Sequence, residues 1–122
     1  MQKANTLLAD HLFSPGFFLA ERIERGLLVV EDKTGELPVA QTEVVKADGL
    51  LVLELGAGTG LPSLLAATIT SPPALIVVTD YPDDNILNNL QSNVKRNEPY
   101  FSSKCVIRCT GYDWGTDVRH LK

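Results

Sequence analysis

Cysteine, histidine and tryptophan are scarce: among 122 residues, cysteine and histidine occur twice each and tryptophan once. Two cysteines are too few for a disulfide-stapled scaffold. They stand at positions 105 and 109 of what reads as one strand, where four residues at ~3.3 Å each separate the Cα atoms by ~13 Å, beyond the ~7 Å that a bridge allows. Both are therefore expected as reduced thiols. Cys105, Ile107 and Cys109 share one face at period two, which reads as buried core cysteines rather than a redox or metal site. His11 and His120 have no ligand-spaced companions, so no metal site is expected. No run reaches the ~18 apolar residues of a membrane span, and Met1 to Asp10 has no basic region leading into an apolar stretch. Positive charge is not in excess either: 11 basic residues face 15 acidic ones, a net charge of -4, so nothing favours nucleic acid or an anionic membrane as partner. The chain reads as soluble, intracellular and cytoplasmic.

What is present is ordinary globular composition, 44% hydrophobic and 21% charged, which excludes collagen-like and wholly disordered chains. The length allows one domain at most. Residues 1–48 read as an N-terminal helix and a variable loop. Ser14-Pro15-Gly16 is a turn signal, after which Phe17, Phe18, Ala20, Ile23 and Leu27 recur near helical spacing. Residues 31–48 carry Gly35, Pro38 and many charges without a sustained period, and read as a loop.

From Gly49 the pattern becomes an alternation of strands and helices, which predicts parallel βαβ units. Leu50 to Leu55 is apolar on both faces apart from Glu54, as expected of a strand central in a parallel sheet. Gly56-Ala57-Gly58-Thr59-Gly60 follows, then Pro62 in the first turn of a helix over about 63–68. Ala74 to Thr79 is a second strand that delivers Asp80 at its carboxyl end. Pro82 opens a second helix, with Asp83 and Asp84 at its positive end, Ile86, Leu87, Leu90 and Val94 on one face, and Lys95 and Arg96 in the last turns. Lys104 to Cys109 reads as a third strand, followed by the loop Gly111-Tyr112-Asp113-Trp114-Gly115.

In open α/β sheets ligands bind beyond the carboxyl ends of the strands. Gly56 and Gly58 let the main chain turn tightly against a ligand, Gly60 lets the helix pack close to the strand, and Asp80 can accept hydrogen bonds from both hydroxyls of a ribose. A dinucleotide fold would show G-x-G-x-x-G with a diphosphate on the helix. The spacing here is G-x-G-x-G, with Glu54 two residues before the first glycine. A carboxylate there repels a diphosphate but suits a cofactor bearing a sulfonium and an ammonium. These residues favour S-adenosyl-L-methionine over NAD; a glycine turn with only a structural role is the third reading.

Leu53-Glu54-Leu55-Gly56-Ala57-Gly58-Thr59-Gly60-Leu61-Pro62-Ser63 resembles the first motif of the seven-β-strand methyltransferases, and Leu61-Pro62-Ser63 looks like their lysine methyltransferase branch. With Thr79-Asp80-Tyr81-Pro82-Asp83, Asn89, Asn93 and the Gly111 to Gly115 loop, residues 49–118 are similar to the fungal nicotinamide N-methyltransferase-like group. That group includes protein N-terminal and lysine methyltransferases acting on translation elongation factor one-alpha. The resemblance implies an α/β, Rossmann-like parallel sheet of the seven-stranded methyltransferase type, seen here through about three strands in residues 49–122. It also implies an S-adenosylmethionine-dependent N-methyltransferase acting on protein, or alternatively on a small amine such as nicotinamide. Gly56, Ala57 and Gly58 would line the methionine part of the cofactor, with Glu54 and Gly60 beside them; Asp80 would hold the ribose, Trp114 would flank the adenine and Tyr81 would stack on it. The competing roles are a helix cap for Asp80, a core aromatic for Trp114, a surface aromatic for Tyr81 and a structural acceptor for Glu54. Tyr112 and Asp113 are expected to shape their loop.

Two departures from the family stand out. The tryptophan usual upstream of a helix like Gly16 to Glu21 is replaced by Phe13 as the nearest aromatic, and 31–48 resemble an insertion. The family's fourth strand and its substrate-side elements are expected beyond Lys122, so no catalytic residue is named. A strand order 3-2-1 then leaves the first strand as an exposed edge, and the chain alone is expected to be inactive and poorly soluble. An inactive remnant or a truncated gene product is the alternative from another class.

Overall fold

The computed structural model describes residues 14–26 and 49–121. Helix α1 (Ser14–Glu24) is followed by β1 (Leu51–Glu54), α2 (Leu61–Ala66), β2 (Leu75–Asp80), α3 (Asp84–Asn97) and β3 (Val106–Gly111), with single 3-10 turns at Glu98–Tyr100 and Arg119–Leu121. The three strands form one parallel sheet in the order β1-β2-β3, Leu51 opposite Leu75 and Asp80 opposite Gly111. The fold is α/β and Rossmann-like, as the sequence predicts. The loop read over 31–48, together with Phe13, His11 and Leu27, lies outside the described residues.

The central strand of the described sheet is β2, and β1 lies at its edge, as the expected strand order 3-2-1 leaves it. Ile76, Val78 and Thr79 are fully buried, and the apolar run of β1 leaves Leu51 76% and Leu53 49% exposed. One face of the sheet is closed. Ile76 and Val78 of β2 meet Ala57, Ala66, Ala67 and Leu90 in a buried cluster, with Val52, Ile107 and Val94 packed around it. Alanines on the α2 side bring that helix close to the sheet, and α1 packs in turn against α2 through buried Ala20. The aromatic part of the expected α1 face does not join this core: Phe17 and Phe18 are exposed, with Arg22 stacked over the Phe18 ring.

The third strand begins two residues later than the sequence pattern suggests, because Ser102 to Cys105 form a tight turn in which the Cys105 amide donates to the Ser102 carbonyl at 3.1 Å. Cys105 precedes the strand and Cys109 lies within it. Both are free and half-buried, packed against the core rather than inside it. Burial pushes both thiol pKa values up, which keeps them protonated and unreactive. Helix α3 starts at Asp84 rather than at Pro82, since the Asp83 side chain accepts from the amides of Asn85 at 2.9 Å and Ile86 at 3.3 Å and so sets the cap.

Candidate functional site

The carboxyl ends of β1 and β2 open onto the glycine loop. The loop is fixed by hydrogen bonds from its own amides: Ala57 donates to the Thr79 carbonyl at 2.8 Å, Gly58 to Asp80 Oδ2 at 2.7 Å, and Gly60 to the Ala57 carbonyl at 2.8 Å. Gly60 has a left-handed φ of 79°, and a Cβ there would stand 2.8 Å from Leu90 Cδ1. The left-handed φ favours glycine here, and the neighbour it approaches closely is α3, rather than a strand as the motif suggested. A second tie to α3 is the side-chain amide of Asn93, which donates to the Thr59 carbonyl at 3.1 Å.

Asp80 ends β2 with its side chain aimed at this loop. Oδ2 takes the Gly58 amide, Oδ1 takes the Tyr81 amide at 2.6 Å, and the residue is 9% exposed. The helix-cap alternative for Asp80 is thereby corrected, because Asp83 performs that task. Each carboxylate oxygen has two lone pairs, so both retain an acceptor site after these contacts. Tyr81 is half exposed beside it.

The loop after β3 closes over the same edge. Tyr112 is buried and its amide donates to the Asp80 carbonyl at 2.8 Å, so it shapes the loop as expected. Asp113 does so through its carbonyl, which accepts from the amide of Thr116 at 3.1 Å and from its hydroxyl at 2.6 Å. Trp114 is no core aromatic: it is 70% exposed, and its Cζ2 lies 3.4 Å from where a Cβ on Gly56 would stand. The indole of Trp114 therefore borders the glycine turn.

Glu54 lies under the loop. Its carboxylate accepts from the Ser63 hydroxyl in α2, and its carbonyl accepts from Thr79 Oγ1 at 2.7 Å. Burial pushes its pKa up, the bonds from Ser63 pull it down, and the Asp80 charge adds to the rise. The chemistry on offer is a sheet edge with two carboxylates, one exposed indole, and no free amide at Ala57, Gly58 or Gly60. Among the described residues no cluster of histidine, cysteine or acidic side chains could hold a metal ion, and no helix is long and apolar enough to cross a membrane.

A family model described as lysine methyltransferase matches residues 8–121. The chain belongs to the lysine methyltransferase family. Among its relatives, the protein N-terminal and lysine N-methyltransferase efm7 of Schizosaccharomyces pombe is 32% identical over 97% of this chain and 38% of its own length. The protein of the same name from Gibberella zeae is 34% identical over 89% of this chain and 36% of its own length. That from Candida glabrata reaches 47% identity over 57% of this chain and 26% of its own length. The chain thus spans little more than a third of the relatives it matches along most of its length.

Within this member of the family, the structure brings Glu54, Gly56, Ala57, Gly58, Gly60, Asp80, Tyr81 and Trp114 to one sheet edge. Two contributors carried no role in the sequence reading. Ser63 and Asn93 stood in the motifs, but their partners lie 9 and 34 residues away in the chain. The available signal was their polarity inside otherwise apolar helical faces.

The Glu54 environment carries a pH prediction. Because its folded pKa is raised, ionised Glu54 costs stability; the cost is absent below about pH 4, where the unfolded group is also protonated, and is complete above the folded value. Glu54→Gln keeps an oxygen for the Ser63 hydroxyl and removes the charge. Thermal melts should show the variant more stable than the parent at pH 8, with the gap closing as pH falls towards 4. A gap of constant size at every pH would contradict the assignment.

Proposed function

We propose that this chain supplies the S-adenosylmethionine-binding wall of a cytoplasmic protein N-methyltransferase, acting on a lysine or amino-terminal amine, with translation elongation factor one-alpha as acceptor. The observation that carries this reading is the hydrogen bond from the Gly58 amide to Asp80. In a phosphate-binding loop the glycine amides point at the anion. Here the amides of Ala57, Gly58 and Gly60 are taken by the protein's own oxygens. A diphosphate would find two carboxylates, Glu54 and Asp80, and none of those three donors. A nucleoside carrying positive charge fits the same two carboxylates.

S-adenosylmethionine, when bound, supplies a methyl group already activated by its sulfonium. The chain's residues bind and orient. The free acceptor sites of Asp80 suit the two ribose hydroxyls, and the two backbone amides on that carboxylate lock its direction in advance. Trp114 offers a flat apolar face for adenine, and Tyr81 a second aromatic beside it. Glu54 contributes negative potential under the loop. The relatives named as protein N-terminal and lysine N-methyltransferases support a protein amine as acceptor.

A chimera tests the reading: the Schizosaccharomyces pombe relative is made with this chain in place of its matched 118-residue segment. Transfer of labelled methyl from S-adenosylmethionine to elongation factor one-alpha is expected. A folded chimera that binds S-adenosylhomocysteine but methylates no protein would overturn the acceptor assignment.

A further inference from the structure

We propose that Asn93 of α3 is a positioning residue for the cofactor loop, acting through Thr59; this rests on the cofactor reading given above. Two independent contacts tie the far half of the loop to α3 and not to the sheet: the Asn93 side-chain amide donates to the Thr59 carbonyl at 3.1 Å, and Leu90 fills the space that a Cβ on Gly60 would need. The near half is held differently, by the Gly58 amide on Asp80 and the Ala57 amide on Thr79. Both anchors lead back to one stretch of chain. Asp80 ends β2, Asp83 caps α3, and Asn93 lies nearly three turns further along that helix. The loop from Gly56 to Gly60 is therefore gripped at both halves by the 79–93 segment.

Asn93 suits this task by chemistry and by place. Its amide is a donor that reaches a carbonyl left without a helical partner, and its own carbonyl accepts from the Asn97 side chain at 2.8 Å, which steadies the turn that carries it. Leucine at the same position would pack on the helix but leave the Thr59 carbonyl without this donor. Tethering the Thr59 carbonyl fixes the orientation of the Thr59–Gly60 peptide, and with it the exit of the Gly56 to Gly58 stretch proposed to lie against the methionine portion of the cofactor. The ribose and adenine contacts at Asp80 and Trp114 do not depend on it.

That separation is what the experiment reads. In the full chain, Asn93→Ala and the isosteric Asn93→Asp are compared with the parent for binding of S-adenosylhomocysteine and of adenosine, and for amide exchange at Gly58 and Gly60. Loss of one neutral hydrogen bond corresponds to about a fivefold change. Both variants should bind S-adenosylhomocysteine about fivefold more weakly, bind adenosine unchanged, and exchange the loop amides about fivefold faster while the β2 amides keep their protection. Equal weakening of both ligands with loss of protection throughout would show a merely structural residue and overturn the proposal. Unchanged loop exchange would overturn it too. If the parent chain binds neither ligand, the cofactor reading falls, and loop exchange alone upholds or overturns the positioning role of Asn93.

Discussion

Asp80→Ala should weaken binding of S-adenosylhomocysteine at least tenfold and should also loosen the loop. The ligand loses two charge-assisted hydrogen bonds, each worth roughly 1.5–3 kcal/mol at most and less where water substitutes. The protein loses the acceptor for two amides, Gly58 and Tyr81, beside a largely buried residue. Stranding both costs about 2–5 kcal/mol, a large part of the roughly 5–15 kcal/mol that holds a domain folded. Asp80→Asn separates the two effects: its oxygen can still serve one amide, while its NH2 group confronts the other. Calorimetric titration and denaturant unfolding of both variants read affinity and stability independently. A loss of stability with affinity unchanged for the folded fraction would make Asp80 a scaffold residue with no part in ribose binding.

The second large effect belongs to β1. Leu51 is 76% and Leu53 49% exposed, and the strand pairs with β2 alone among the described residues. A row of leucines on an unpaired strand is a template for another strand, and each leucine left in water forgoes roughly 1.5–3 kcal/mol of burial. The 122-residue chain is expected to self-associate at micromolar concentration. Leu51→Lys together with Leu53→Lys should move the association midpoint at least tenfold higher, since charge on an edge strand opposes pairing. Sedimentation velocity across a dilution series measures both. A monodisperse monomer at all concentrations would contradict this account of the edge.

Much of the architecture was legible because it rests on local rules. The apolar runs at Leu50 to Leu55 and Ala74 to Thr79 are strands of the parallel sheet, and the acidic pair Asp83 and Asp84 with Lys95 and Arg96 marks both ends of α3. Asp80 at the tip of β2 follows from the same pattern. What the sequence could not show is set by contacts between distant segments. The start of β3 depends on a turn at Ser102 to Cys105 that shows no glycine or proline. The close neighbour of Gly60 is Leu90, thirty residues on, and the exposure of Trp114 comes from how its loop folds over Gly56. The aromatic face of α1 misled for a related reason: helical spacing marks a candidate apolar stripe, yet of its described residues Ala20 and Ile23 meet the core while Phe17 and Phe18 do not.

The central claim is that this glycine loop, with the amides of Gly58, Ala57 and Gly60 turned to Asp80, Thr79 and Ala57, selects an ammonium-bearing nucleoside over a diphosphate. Titration calorimetry of the full chain with S-adenosylhomocysteine and with NAD, at equal concentration and low ionic strength, tests it most directly. The account predicts saturable heat with S-adenosylhomocysteine and none with NAD; tighter binding of NAD would contradict it.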